Sequence, residues 1–196
     1  MNTIKGEIIN TIEITKSTFI TYLKNVEQVE DAKKYVQYVK ELHPNATHHV
    51  VAMTIGKTGE YGQANDDGEP SGTAGLPVLD VFRKNDITNF VCIVVRYFGG
   101  VKLGAGGLVR AYSKSASEAL RLVPVVPIIE YGHLELHFDY SFLNLIENRL
   151  SNYEILTKTF TNEVSFIIKV PVTEINQVIA QLIALTNSLI NIHILK

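Results

Sequence analysis

The 196-residue sequence has little of what marks secreted, membrane-spanning or strongly charged proteins. It contains a single cysteine, Cys92, so no disulfide can form within the chain. No apolar run approaches the roughly 18 to 20 residues that a membrane-spanning helix needs, and the first residues do not form a signal peptide. These absences predict a cytoplasmic protein with no membrane partner. Because Cys92 lies inside an apolar run, we interpret it as a core thiol.

Neither sign of charge dominates the chain. The 18 basic and 20 acidic side chains give a formal charge of -2, which does not indicate a nucleic-acid-binding protein. The charge is unevenly spread, because residues 1–127 carry 14 basic and 13 acidic side chains, whereas residues 128–196 carry 4 and 7. A site for a polyanion is therefore expected in the first part of the chain.

The segment Val123–Pro127 separates two parts of the sequence. Its two prolines exclude a helix interior and favour an extended connector, so we predict one domain over residues 1–127 and another over residues 128–196. In the second part, alternating and helical apolar spacings follow the order βαββαβ, which predicts a ferredoxin-like domain. Its expected elements are strands at 131–138, 154–160, 164–170 and 189–195, and helices at 140–150 and 174–185.

The first part is predicted to be a different α+β unit. A polar segment, residues 57–72, is too long for an ordinary turn, so we expect it to be functional or mobile. The expected strands are 8–15, 18–23, 47–55 and 90–98, and the expected helices are 26–42, 76–84 and 108–122.

A glycine-rich turn, Gly99–Gly107, joins the last buried strand of this unit to its last helix. Glycines let a backbone approach a ligand closely, and a helix N-terminus offers free N–H groups to an anion. The turn is not a P-loop, because no Gly-Lys-Ser/Thr occurs, and it lacks the full dinucleotide-binding motif. Phosphate binding and a tight crossover that needs small residues both stay open. The candidate residues are Gly99, Gly100, Lys102, Gly104, Gly106 and Gly107.

The helix after this turn carries a basic stripe formed by Arg110, Lys114 and Arg121. At 100° per residue these side chains share one face, and the apolar residues occupy the opposite face. From Arg96 to Arg121 the chain has five basic residues and one acidic residue. We predict an exposed site for phosphate or an acidic partner that includes Lys102, Arg110, Lys114 and Arg96, although a merely solvated helix face is the alternative.

An acidic loop, residues 65–75, has three carboxylates within four residues. A metal site is disfavoured because the EF-hand spacing is absent and the two aspartates are adjacent. We expect instead that Ser71 or Thr73 caps the following helix. Ser71 also lacks the G-x-S-x-G elbow of a serine nucleophile, so no catalytic residue is predicted. The candidate residues of this loop are Asp66, Asp67, Glu69, Ser71 and Thr73.

The histidines do not predict a metal centre. His48 and His49 are neighbours on a predicted strand and therefore point to opposite faces of its sheet. His133 and His137 share a face, but four residues of strand place them roughly 13 Å apart. No metal and no cofactor is predicted.

Several of these motifs together resemble the IMPACT/YigZ family. The resemblance rests on Asp66–Gly75, Val95–Gly100 and Leu103–Tyr112, with weaker similarity at Lys16–Ile20 and Ala46–His49. It covers most of residues 16–120, and the following βαββαβ unit resembles the additional C-terminal domain of bacterial members.

The resemblance implies a fold and a type of function. It implies an N-terminal domain similar to domain IV of elongation factor EF-G, with a ribosomal-protein-like βαβ fold, and a C-terminal domain similar to domain V. Eukaryotic relatives regulate translation by binding the activator of a starvation-responsive kinase, but this chain lacks their N-terminal partner-binding domain. The fold superfamily also contains small-metabolite kinases.

The sequence therefore supports two functional hypotheses. The first is a non-enzymatic regulator of translation that binds RNA, the ribosome or a translation-associated protein through the glycine-rich turn and the basic helix face. The alternative is an enzyme or sensor that binds a phosphorylated small molecule at the same turn. The partner and the oligomeric state stay open.

Overall fold

The computed structural model describes residues 1–195, which form two compact units. The first comprises Met1–Ile128, and the second begins at Ile129. Within the described residues, no helix is both long and apolar enough to cross a membrane.

The N-terminal unit is built around a five-stranded antiparallel sheet with helices on both faces. The strand order is β2-β3-β6-β4-β5, and β1 and β7 form a separate two-stranded ribbon. The elements are β1 (Asn2–Ile4), β2 (Glu7–Ile14), β3 (Ser17–Asn25), α1 (Val29–Leu42), β4 (His48–Ile55), β5 (Tyr61–Asn65), α2 (Gly75–Lys84), β6 (Phe90–Tyr97), α3 (Gly104–Leu122) and β7 (Val125–Pro127).

The central strand β6 is a continuous apolar run because both of its faces pack against a core. Phe90, Cys92 and Val94 pack in one core with α2 and α3, and the alternate residues between them pack in a second core with α1. Both faces of β6 are therefore buried, and each fully buried aliphatic side chain contributes about 1.5–3 kcal/mol. Phe82 of α2 stacks on Phe90 with ring centroids 4.0 Å apart. The sheet is thus fixed from both sides at β6.

Two details of the N-terminal unit differ from the prediction. No strand was predicted in the polar segment 57–72, but Tyr61–Asn65 pairs with β4 as an edge strand. An edge strand of this kind needs few apolar residues, and only Ala64 packs against the core. The helix α3 begins at Gly104 rather than at residue 108, although three of its first four residues are glycines, which have low helix propensity.

The C-terminal unit has the βαββαβ order and the strand order β11-β8-β10-β9 of a ferredoxin-like fold. Short 3-10 turns precede both helices, which shortens the two helices predicted for this unit. The elements are β8 (Tyr131–Phe138), α4 (Leu143–Arg149), β9 (Glu154–Phe160), β10 (Val164–Pro171), α5 (Ile175–Leu185) and β11 (Ile190–Leu195).

Alternation along the strands positions the core of this second unit. Every second residue of β8 and β10 is buried, and Phe138 meets Phe166 edge to face at 5.1 Å. The apolar side chains of α4 and α5 cover this face of the sheet. The period-two pattern in the sequence therefore predicted both the strands and the buried face.

Cys92 provides a test of the buried central strand. Its side chain is fully buried, and this burial raises the pKa of the thiol well above its ordinary value. We expect no reaction of the native protein with a water-soluble disulfide reagent over minutes, and reaction of one thiol per chain in guanidinium chloride. Rapid stoichiometric labelling of the native protein would contradict the packing described here.

Candidate functional site

The acidic loop between β5 and α2 is organised by Asp66. One carboxylate oxygen of Asp66 accepts hydrogen bonds from the backbone N–H groups of Ala74 and Gly75 at 3.1 and 2.8 Å, and the other accepts from Gly72 at 2.8 Å. Burial raises the pKa of Asp66, but these three donors outweigh it and hold the pKa below its ordinary value. Asp66 therefore caps α2 from a distance in the sequence.

The predicted caps of α2 are wrong. Neither Ser71 nor Thr73 caps the helix, because Ser71 is exposed and the hydroxyl of Thr73 donates to the carbonyl of Pro70 at 2.6 Å. Asp66 already occupies the N–H groups that either residue was expected to bind. Sequence patterns favour caps immediately before a helix, and Asp66 lies nine residues before Gly75.

The neighbouring Asp67 fastens the same loop to β4. Its carboxylate accepts from the backbone N–H of His49 at 2.7 Å and lies 3.6 Å from Lys40. Its carbonyl oxygen accepts from Nδ1 of His48 at 2.8 Å. The two aspartates therefore bind different parts of the protein, and among residues 1–195 no group of three or more His, Cys, Asp or Glu side chains could hold a metal ion.

Glu69 forms the buried centre of the site. Its Oε1 accepts from Nη1 of Arg96 at 2.6 Å and from the hydroxyl of Tyr112 at 2.7 Å. The side chains of Glu69 and Arg96 are only 4% and 6% exposed. Burial, and then the hydrogen bond to Glu69, raise the pKa of the Tyr112 hydroxyl. The acidic loop, β6 and α3 thus meet at one carboxylate oxygen.

The position of Arg96 corrects the expectation that it lies in the exposed site beside the basic stripe. The guanidinium is buried because it pairs with Glu69, and it also donates to Ser17 at 3.4 Å. The same Ser17 oxygen accepts from the backbone N–H of Gly99 at 3.2 Å. Ser17, at the start of β3, therefore holds both Arg96 and the glycine-rich turn.

The glycines of the turn serve the fold in different ways. A Cβ at Gly99 would lie 1.9 Å from the carbonyl oxygen of Lys16, so only glycine allows this close approach. Gly104 begins α3 with a φ of +70°, which side chains rarely adopt. Gly100 lies between them, also with positive φ, and Gly106 and Gly107 lie in the first turn of α3. No side chain caps this helix, and no acidic residue lies in its first turn.

Three predicted cations lie together on the protein surface. Lys102, Arg110 and Lys114 line one groove of about 430 Å³, together with residues 14–15 from the turn between β2 and β3. Within residues 1–195, no carboxylate lies within ion-pairing distance of these three side chains. Arg121, further along the stripe, instead pairs with Glu118 at 3.1 Å. We name the surface lined by Lys102, Arg110 and Lys114 the basic groove.

A second depression of about 430 Å³ lies beside the basic groove. Lys102 and Leu103 line both. Its other lining residues come from the start of β4, the acidic loop, the end of β6 and α3, and include Glu69, Arg96 and Phe98. We name it the Phe98 cavity.

The sequence did not assign a role to several residues that build this region. Ser17, Thr47, His48 and Tyr112 all lie around the Glu69–Arg96 pair or the Phe98 cavity. They fall within segments that carry the family resemblance, and that was the only signal that could have pointed to them. The hydrogen bonds that Tyr112, Thr47 and Ser17 make here span 43 to 82 residues in sequence, beyond the reach of local pattern.

Comparison with known proteins identifies the family of this chain. The model of the Impact N-terminal domain matches residues 15–120, and a domain of unknown function, DUF1949, matches residues 136–188. The chain belongs to the IMPACT family. The family match spans the acidic loop, the glycine-rich turn and most of α3, and it ends before the ferredoxin-like unit begins.

Relatives in bacteria are similar over most of this chain. It is 42% identical to the IMPACT family member YvyE of Bacillus subtilis, over 90% of this chain and 82% of that protein. It is 42% identical to the IMPACT family member YigZ of Escherichia coli, over 69% of this chain and 67% of that protein. The crystal structure of a hypothetical protein superposes with a TM-score of 0.66 at 31% identity, covering 100% of this chain and 97% of the other.

The buried pair predicts an unequal response to two substitutions. Glu69→Gln leaves Arg96 buried without its countercharge and is expected to lower the free energy of unfolding by about 3–5 kcal/mol. Tyr112→Phe removes one hydrogen bond to the same oxygen and should cost about 1–2 kcal/mol. Urea denaturation measures both. An effect of Glu69→Gln no larger than that of Tyr112→Phe would contradict the described pairing.

The cap formed by Asp66 predicts a pH dependence. Because the folded protein lowers the pKa of Asp66, the cap stabilises fully above the unfolded value of about 3.9 and is lost as pH falls through the lower folded value. Asp66→Ala is therefore expected to cost about 1–2 kcal/mol at pH 7 and much less at pH 2–3.

Chemical denaturation at several pH values tests this, with Asp80→Ala as the control. Asp80 is an exposed aspartate of α2 that lies 4.0 Å from Arg83, and its replacement should change stability by less than about 0.5 kcal/mol. A loss for Asp66→Ala that does not shrink in acid would show that Asp66 is not the cap.

Proposed function

We propose that this protein is a non-enzymatic regulator of translation that binds RNA, in particular RNA on the ribosome, through the basic groove and the glycine-rich turn. The observation that carries the proposal is the grouping of Lys102, Arg110 and Lys114 along one groove, without a countercharge among residues 1–195. Cations placed in a row without ion pairs are the means by which proteins contact a phosphate backbone.

The start of α3 adds to this phosphate site. No side chain caps the N–H groups of its first turn, and Lys102 lies two residues before the helix begins. A helix N-terminus of this kind favours an anion by its free donors and its partial positive charge. The proposed contacts of Gly100, Gly104, Gly106 and Gly107 with phosphate are through their backbone. Arg96 and Gly99 instead position the turn through their hydrogen bonds to Ser17.

The carboxylates of the acidic loop support a binding role over a catalytic one. Asp66 is occupied by three backbone N–H groups, Asp67 by β4, and Glu69 by Arg96 and Tyr112. Each therefore has a structural partner that a general base or metal ligand would have to give up. This favours a loop whose function is to order the binding surface.

Family membership supports the link to translation. The family resemblance implies relatives that regulate translation, and it implies similarity of the two units to domains IV and V of EF-G, which acts on the ribosome. The ferredoxin-like topology of the second unit agrees with the latter likeness. On this proposal the protein acts in the cytoplasm, and a translation-associated protein that displays acidic residues is the competing partner for the same groove.

Co-sedimentation with ribosomes tests the proposal. If three phosphates are contacted, affinity should fall about 20- to 40-fold as salt rises from 50 to 200 mM. Arg110→Glu/Lys114→Glu should bind at least about tenfold more weakly at 50 mM salt and show a shallower salt dependence. Both side chains are exposed, so the variant is expected to fold normally.

The matched control is Lys33→Glu/Lys84→Glu, which changes the net charge equally at exposed positions on α1 and α2. It should bind ribosomes like the unchanged protein. Equal losses in both variants would indicate a general effect of net charge, and no ribosome binding at 50 mM salt would contradict the proposal.

A further inference from the structure

The Phe98 cavity combines apolar walls with a polar floor. Pro70, Phe98, Leu103 and Leu108 contribute apolar surface, and its polar side chains are Thr47, His48, Glu69, Arg96 and Lys102. A volume of about 430 Å³ lies within the range of small-ligand sites, which pair apolar walls with a few fixed polar groups. The groups at the floor therefore decide which ligand fits.

The buried ion pair at this floor has unused hydrogen-bonding capacity. Every hydrogen bond and ion pair of the Glu69 side chain within residues 1–195 uses Oε1, which leaves Oε2 without a donor. Nε of Arg96 has no partner, although the arginine is 5% exposed. Of these two atoms, Nε is inaccessible to solvent and Oε2 retains some exposure, so Oε2 is the acceptor that is available to a ligand.

Thr47 and His48 add further capacity. Nδ1 of His48 faces a carbonyl oxygen that can only accept, so Nδ1 donates to it, and Nε2 makes no hydrogen bond. Nε2 lies 3.8 Å from Glu69, beyond hydrogen-bond distance. The hydroxyl of Thr47 accepts from the backbone N–H of Phe98 at 3.0 Å and can still donate. Donors and acceptors thus line one cavity.

The charge at the floor favours a neutral ligand group. Glu69 and Arg96 neutralise each other at 2.6 Å, so an anion placed there would gain little attraction and would meet a carboxylate. The cations without ion-pair partners line the adjacent basic groove, which shares Lys102 and Leu103 with the cavity. A ligand that spans both sites therefore needs a neutral heterocycle joined to phosphates.

Phe98 provides a surface for such a heterocycle. The residue is 46% exposed and lines the cavity, and the guanidinium of Arg96 lies 5.5 Å from its ring. Proteins bind unpaired bases by stacking them on aromatic rings and by hydrogen bonds to their edges. The polar groups of the cavity match the hydrogen-bonding edge of a nucleobase, and the exposed Phe98 ring matches its aromatic face.

We propose that the Phe98 cavity takes one unstacked nucleobase of a single-stranded RNA whose phosphates lie in the basic groove. This inference rests on the proposed function, and it adds that the protein distinguishes single strands from duplexes. In a duplex the bases are stacked and paired, so only the phosphate contacts would remain. The cavity thereby selects the form of the RNA, and the groove supplies affinity for any RNA.

The test compares Phe98 variants on two RNAs. Affinities of the whole protein for a ten-nucleotide single strand of mixed sequence and for the matching RNA duplex are measured by fluorescence anisotropy at 50 mM salt. Phe98→Ala should weaken single-strand binding about 5- to 150-fold, the range found for loss of a stacked base, and leave duplex binding unchanged. Phe98→Tyr keeps the ring and should restore single-strand affinity. Phe160→Ala, at a phenylalanine of β9 that is 52% exposed, is the matched control and should change neither.

The outcomes separate this inference from the proposed function. If Arg110→Glu/Lys114→Glu weakens both RNAs while Phe98→Ala weakens neither, or weakens both equally, the cavity proposal is wrong and the groove proposal stands. If the unchanged protein binds neither RNA nor ribosomes, the proposed function itself fails.

A third arm uses free nucleoside monophosphates as competitors. They should displace the single strand only weakly, because each offers one phosphate to the groove. Competition at the same concentration as the oligonucleotide, lost in Phe98→Ala, would assign the cavity to a free nucleotide and overturn the RNA proposal.

Discussion

The N-terminal unit depends on one buried ion pair, between Glu69 and Arg96. Isolated charges are costly to bury, and this pair is compensated by short contacts, by the Tyr112 hydroxyl on the same oxygen, and by the Phe19 and Phe98 rings at 5.4 and 5.5 Å from the guanidinium. Four segments distant in sequence converge on it: the start of β3, the acidic loop, β6 and α3. The pair and its hydrogen bonds therefore hold these four segments together at one buried point.

That constraint explains why two surfaces of different character lie side by side. The acidic loop contributes a carboxylate to the interior, where it neutralises the one arginine of β6, and Lys102, Arg110 and Lys114 face outward without ion-pair partners among the described residues. The result is a neutral polar cavity next to a positive groove. The carboxylates of the acidic loop are bound within the N-terminal unit, so they do not offset the positive charge of the adjoining groove.

The sequence predicted elements well where local periodicity decides the structure. The strand Tyr131–Phe138 has the predicted bounds because alternation with one buried face is a local property. The strand Glu154–Phe160 also has the predicted bounds, although it buries little, because the short hairpin loop that follows it could be recognised in the sequence. The edge strand Tyr61–Asn65 was missed, since it pairs on one side only and buries little. The burial of Arg96 and the cap by Asp66 were missed because each depends on a contact formed only after the chain folds. The basic groove could be anticipated from helical spacing, but the Phe98 cavity could not, since its lining residues come from several separate segments of the chain.

The ribbon of β1 and β7 determines how the N-terminal unit bears mechanical load. The linker strand β7 pairs with β1 from Asn2 to Ile4, and β1 is itself bonded to the α2–β6 connection through the backbone of Asp86 and Thr88. Tension applied to the chain beyond Ile128 is therefore transmitted across these hydrogen bonds into the body of the unit before it reaches α3. The point where the chain leaves this unit thus acts as an anchored attachment, and the unit can resist a pull at that end without its last helix being unwound.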